Sequence, residues 1–377
     1  MAGESDQAAR PVHGRRVIGW LAKLFEQNPA GLNWPRAVAF LDVAMVPLFV
    51  FWAIGYEQYL LSALFGVLFV ALSDPGGSYG HRALDIAVFG AIGAGVTAVA
   101  FAIGAYDWGR LVLASFLVTL VAGLAAVFGA RRFVNALLLN IWFIVAIALE
   151  SGLHGASHIT SHIWAQVSAW TGGAALWLLV SFAWWLISGR GDLSQPFSEL
   201  PGDTSRQKLT PPLIFFALIR ALAIAGTFAL AYGLNLSHGY WLPIATIIAM
   251  KPNLGQATLV SAQRLTGALI GAGVAMLLLL VPVNETGLKL FAVLRGLEAV
   301  ALVLFMHAAA VRFWNYTFYT AAVAAGVLIL LDIPKPSDYS AEGYRVLWTL
   351  CGVGIGLVVM LLAGLLSKLT AKTPRPA

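Results

Sequence analysis

Arg264 is the residue whose chemistry stands out first, an arginine in the first two turns of a long apolar stretch near 259–281. A charge inside such a stretch is costly and must face a protein interior or a polar cavity. A guanidinium held there binds a carboxylate through two parallel hydrogen bonds. Its alternative is an anchor that reaches the membrane surface or bonds neighbouring backbone carbonyls. Lys251 and Asn253 lie just upstream, at the expected inner mouth, and Trp241 reads first as an interface anchor and only second as a ring for stacking. Asp42 and Arg220 stand 178 residues apart, at matching places in two helices, so they read as a salt bridge or gate between halves, or as two unrelated interfacial charges. Arg295 and Glu298 are three apart and share a helical face. Counted from an outer helix start near 288 at about 1.5 Å per residue, Glu298 lies about 15 Å deep. A carboxylate at that depth is a candidate proton carrier, or half of a static ion pair.

Two further patterns concern the backbone. Asp74-Pro75-Gly76-Gly77 and Lys251-Pro252-Asn253-Leu254-Gly255 occupy matching places in the two halves. Proline removes a donor and glycine loosens the chain, so helices stop there. Paired breaks of this kind mark transport sites in membrane folds, and they also serve as plain turns between spans. His154, His158 and His162 recur every fourth residue. Imidazoles at that spacing on a helix would bind zinc or sense pH. Gly152 and Gly155 argue against a firm helix there, so an interfacial segment is the preferred reading and no metal site is assigned.

The elements that must position these residues are membrane helices. The chain has 377 residues, 60% hydrophobic and 11% charged, with a mean hydropathy of +0.83. A soluble domain is about 25% charged. Apolar runs near 20 residues recur, the length that crosses a bilayer core of about 30 Å. The net charge of +6 is spread over loops between spans, which does not fit nucleic-acid binding. The single cysteine, Cys351, sits in an apolar run, so a disulfide or thiol metal cluster is not expected. Thirteen tryptophans, among them Trp108, Trp164, Trp184, Trp185 and Trp241, read as interface anchors. The runs Gly90–Gly95, Gly267–Gly273 and Gly352–Gly356 read as close helix crossings.

The chain is written twice. Arg132-Phe133-Val134-Asn135 recurs as Arg312-Phe313-Trp314-Asn315, 180 residues on, and Trp170-Thr171 as Trp348-Thr349, 178 on. Internal repeats of this kind are common in transporter folds. The spans expected are 37–55, 58–73, 83–104, 109–130, 133–149 and 163–188, then 213–234, 239–250, 259–281, 288–311, 313–331 and 345–367. The short ones at 58–73 and 239–250 also fit re-entrant half-helices. With the N-terminus inside, six spans per half place most basic residues on the cytoplasmic side, among them Arg36, Arg82, Arg131, Arg132, Arg190, Arg206 and Arg312. Five per half would push Arg131 and Arg132 out, so the positive-inside rule favours an all-α protein of two parallel six-helix repeats. The layout expected is a basic cytoplasmic arm at 1–36, carrying a short interfacial helix or loosely ordered. Repeat 1 then covers 37–188, a cytoplasmic linker 189–212, repeat 2 213–368, and a cytoplasmic tail 369–377.

Gly239-Tyr240-Trp241-Leu242-Pro243, Lys251-Pro252-Asn253-Leu254-Gly255 and Gln263-Arg264-Leu265-Thr266-Gly267, followed by Gly271, resemble the fusaric acid resistance family. The strong match spans 213–281, and the first half looks like a diverged copy. The resemblance implies a multi-pass bacterial inner-membrane exporter of aromatic or related acids. The chain departs from longer members in lacking large cytoplasmic domains. Its first-half copy has Ile86 near where Arg264 would align, so symmetric use of the halves does not follow.

The function expected is a secondary transporter of organic anions, driven by protons or membrane potential because no nucleotide-binding motif occurs. The alternatives are a passive anion channel and a non-transporting subunit of an envelope assembly. No enzymatic role and no cofactor are expected. The partners expected are the lipid bilayer and a small organic anion, with a second copy or a periplasmic accessory protein as further candidates.

Overall fold

A computed structural model describes residues 22–75, 78–153, 163–187, 206, 208–250, 254–280, 286–332 and 340–371. The described residues are helical, with no strand among them. Among the described residues twelve α-helices follow one another: α1 Trp34–Ile54, α2 Leu60–Ser73, α3 Tyr79–Ile103, α4 Trp108–Leu124, α5 Ala130–Leu153, α6 Ile163–Ile187, α7 Pro211–Gly233, α8 Trp241–Ala249, α9 Leu254–Leu279, α10 Gly287–Val311, α11 Tyr316–Asp332 and α12 Ser340–Ala371. Among the described residues, eight helices are long and apolar enough to cross a membrane by length and composition, where the sequence suggested twelve spans. At about 1.5 Å per residue, α2 and α8 reach only about 21 and 14 Å, short of the roughly 30 Å hydrocarbon core.

These two short helices form the centre of the bundle. All of α8 is buried, and so is α2 apart from Leu61. A helix apolar on every side must be enclosed by others. α2 packs on α1, α3, α5 and α6, and α8 on α5, α7, α9 and α12. Pairings in the first half recur six helices later. The pairs α3–α5, α2–α6, α3–α6 and α4–α5 match α9–α11, α8–α12, α9–α12 and α10–α11. The contacts between halves, α1–α10 and α7–α4, match in the same way.

Glycines set the closest crossings. A Cβ on Gly173 of α6 would overlap the Ala63 carbonyl of α2, and one on Gly352 of α12 would overlap the Leu242 carbonyl of α8. Gly267 and Gly271 admit α11 at Thr320 and Ala324, and Gly93 admits the Trp170 ring. The three small-residue runs therefore pack as expected, because backbones approach closely only where no side chain intervenes. In the core, Trp142 stacks on Trp170 at 4.9 Å and donates to Thr97 Oγ1 at 2.8 Å. Trp170 donates to the Gly90 carbonyl at 3.1 Å.

Among the described residues the arm has two single helical turns, Lys23–Phe25 and Pro29–Gly31, and residues 1–21 lie outside the described residues. Asn315 holds it, donating through Nδ2 to the carbonyls of Leu24 (3.2 Å) and Glu26 (2.9 Å). Its Oδ1 accepts from Thr317 N at 2.8 Å and Phe318 N at 3.1 Å, which satisfies two amides that start α11.

Candidate functional site

The helix breaks close rather than line a cavity in the first half. Asp74, fully buried after the last turn of α2, accepts from Arg82 Nε at 2.7 Å and Nη2 at 2.6 Å, and from Trp177 Nε1 at 3.1 Å. Arg82 also reaches Ser181 Oγ at 3.2 Å. Pro75 is buried beside this clamp, which ties α2 to α3 and α6. In the second half, Lys251, Pro252 and Asn253 lie outside the described residues, and Gly255 falls in the first turn of α9.

A cavity of about 320 Å³ lies between the halves. The first half supplies an apolar wall: Phe65, Leu68, Phe69 and Leu72 from α2, then Val134, Leu138, Ile141 and Val145 from α5. The second half supplies Trp241 and Ile244 from α8, Arg264 from α9, Arg312 from the α10–α11 corner, Tyr316, Tyr319 and Thr320 from α11, and Arg345 from α12. No aspartate or glutamate is among the described residues that line it.

Three arginines face one aromatic space, at two ends. Arg264 hydrogen-bonds the Tyr316 side chain, and its buried Nε has no hydrogen-bond partner among the described residues. Tyr316 and Tyr319 have ring centroids 5.6 Å apart. Arg312 lies over the Phe313 ring at 5.1 Å and donates to the Leu72 carbonyl at 3.3 Å. That carbonyl is among the last four of α2, which lack intrahelical partners and carry the negative end of the helix dipole. The other end is marked by Arg345, 5% exposed, whose guanidinium lies 3.8 Å from the Trp241 ring centroid. Val145, Trp241 and Val327 there also border a small apolar annexe with Leu149, Tyr240 and Leu330. Between Tyr316 and Val327 the lining face of α11 rises about 16 Å.

The arrangement suits an amphipathic anion. Arginine donors at fixed positions bind carboxylate strongly, and aromatic and aliphatic walls accept a ring. Cationic charge in a low-dielectric space is costly unless it meets an anion or a π face.

The sequence candidates separate into three places. Arg264 and Trp241 line the cavity. Trp241, at 5% exposure, is a buried wall rather than an interface anchor, whereas Trp108, Trp164 and Trp184 are exposed as anchors would be. Arg220 is fully buried behind α8, where Nη2 donates to the Ile247 carbonyl at 3.3 Å and the guanidinium lies 4.9 Å from the Phe133 ring. Asp42 is exposed on α1, so these two do not form the expected pair.

Arg295 and Glu298 sit at the α1–α10 interface. Arg295 Nη1 donates to Glu298 at 2.9 and 3.1 Å, Arg295 Nη2 donates to Glu57, and Trp52 donates to Glu298. This cluster does not line the cavity. His154, His158 and His162 lie outside the described residues.

Sequence reasoning missed Arg312, Arg345, Tyr316 and Tyr319. Arg312 stood in plain view within the repeated Arg-Phe-x-Asn motif, and the tyrosines share a face at a spacing of three. Arg345 near the start of an apolar run carried the same signal as Arg264, a charge entering a span.

A family model described as fusaric acid resistance protein-like matches residues 222–359. No curated protein and no solved structure matches the chain. The matched stretch contains Trp241, Tyr316, Tyr319 and the three cavity arginines, so it is the cavity-bearing second half that is similar to the fusaric acid resistance protein-like family.

Proposed function

We propose that the chain is a secondary transporter that exports aromatic or other organic acids across the bacterial inner membrane through the cavity between its halves. One observation carries this reading: three arginines and two tyrosines line an aromatic-walled space that no described carboxylate shares. The substrate's carboxylate meets Arg264, its ring packs against Phe65, Phe69 and Trp241, and Arg345 offers a second cationic pole. The matching helix pairings support two parallel six-helix repeats with the site at their junction. The basic residues at the inner loops support cytoplasmic termini.

A passive anion channel is the second reading. It is favoured by the distance of Glu298 from the cavity lining, since a channel needs the arginines and no proton-carrying carboxylate. Purified protein in liposomes, given radiolabelled aromatic carboxylates with and without a pH gradient, tests both. Gradient-driven uptake that Arg264→Ala abolishes supports the transporter. Gradient-independent flux supports the channel. Absence of flux for a panel of acids rejects both.

A further inference from the structure

A second cavity, of about 510 Å³, opens away from the transport cavity, between α3 and α4 with α5 as its floor. Its flanks are Val88 and Ile92 on α3 and Leu117 and Val121 on α4, all exposed, Val121 at 70%. The α3 and α4 flanks each pack on α5. This makes the feature a slot floored by Asn135, Ala136 and Leu139 of α5 rather than a flat apolar surface. From Leu117 to Phe128 its wall rises about 16 Å, half of the roughly 30 Å core. The slot therefore has the length of one acyl chain in one leaflet.

Charge gathers at the Phe128 end. Arg132, in the first turn of α5, lines the slot with its side chain 40% exposed. Its Nη2 meets Asp85 Oδ1 at 2.9 Å, while Arg131 Nη2 meets Asp85 Oδ2 at 2.5 Å. His81 lies 3.8 Å from the same carboxylate. Two arginines share one buried carboxylate, leaving the mouth with net positive charge. Arg206 adds to it, its guanidinium 5.9 Å from the Phe128 ring. An apolar slot of leaflet length under a cationic mouth matches one chemistry, a lipid with an anionic head.

We propose that this slot is a binding site for an anionic phospholipid, its phosphate at Arg132 and one acyl chain lying between α3 and α4. The site shares no lining residue with the transport cavity, so it stands whether or not the transport reading does. Asp85 orients Arg131 and Arg132 at the mouth, and Asn135, about one turn along α5 from Arg132, gives the head side a polar edge.

Native mass spectrometry of the purified full-length chain in detergent, titrated with phosphatidylglycerol or phosphatidylcholine of the same chains, tests this. Phosphatidylglycerol is expected to bind about fivefold or more tightly, the scale of one basic residue at a membrane surface. Arg132→Gln is expected to bring it to the phosphatidylcholine level, and Arg132→Lys to retain most of the preference. Val121→Trp fills the slot from an exposed position without touching the ion pair, and is expected to weaken both lipids. Equal binding of the two lipids, or binding that neither Arg132→Gln nor Val121→Trp changes, overturns the proposal. Displacement of the bound phosphatidylglycerol by inorganic phosphate alone overturns it too, because the slot would then contribute nothing.

Discussion

Arg345 rests over the face of Trp241, guanidinium to ring centroid 3.8 Å, at the end of the cavity opposite Arg264. The contact joins α12 to the first residue of the short central helix α8. A guanidinium on a buried indole gains up to about 2 kcal/mol when desolvated. The ring also lines the same space that Arg264 faces.

Trp241→Leu removes the π face and leaves an apolar wall. Transport of aromatic acids is then expected to weaken by about 2- to 30-fold, the range of one cation–π contact, with Trp241→Phe intermediate. Initial-rate uptake at several substrate concentrations separates this loss of affinity from a loss of turnover. Equal rates for all three proteins would remove Trp241 from the substrate path.

Glu298 decides between coupled transport and a channel. Glu298→Gln keeps the side chain's shape while abolishing its charge and its capacity to carry a proton. If Glu298 couples proton movement to transport, gradient-driven accumulation disappears in the variant while exchange of substrate across the cavity persists. Accumulation at the wild-type level would exclude Glu298 as the coupling group.

The Asp74–Arg82 pair is expected to matter for folding and not for substrate. Asp74→Asn leaves the buried Arg82 without its counter-charge, a loss of about 3–5 kcal/mol for a buried pair. The double substitution Asp74→Leu with Arg82→Met is expected to recover much of it. Thermal unfolding in detergent reads both, and a double variant no more stable than Asp74→Asn would contradict the argument.

The α2–α6 crossing is expected to tolerate no side chain at Gly173. Gly173→Ala drives a methyl into the Ala63 carbonyl, and overpacking of this kind costs about 1–3 kcal/mol. Gly172→Ala, next along the helix and facing open space, serves as the control. Comparable melting temperatures for the two would show that α6 shifts freely.

The cavity between the halves follows the 178-residue spacing of Trp170-Thr171 and Trp348-Thr349, and not that of the Arg-Phe-x-Asn copies. Val134, Leu138, Ile141 and Val145 line it from α5, and Arg312, Tyr316, Tyr319 and Val323 line it from α11. Each pair is separated by 178 residues, whereas the conspicuous Arg-Phe-x-Asn copies are separated by 180. Two residues on a helix amount to about half a turn. The matched arginines therefore face different surroundings: Arg312 enters the cavity, and Arg132 meets Asp85 and the outer slot.

By itself the sequence determined what local chemistry dictates. Apolar run lengths set the helices, prolines and glycines set their ends, small-residue runs set the crossings, and Arg264 declared itself by being charged inside a span. Only the tertiary structure decided which charges meet. Arg264, Arg312 and Arg345 come from α9, the α10–α11 corner and α12 of the second half, and the apolar wall facing them comes from the first. Asp42 and Arg220, though matched in sequence, part company because α1 packs on α10 and α7 on α4. The physical reason is range. Hydrophobicity and backbone propensity act between neighbours in the chain, whereas the partner of a buried charge is fixed by how the helices rotate against one another to bury their closest-packing faces.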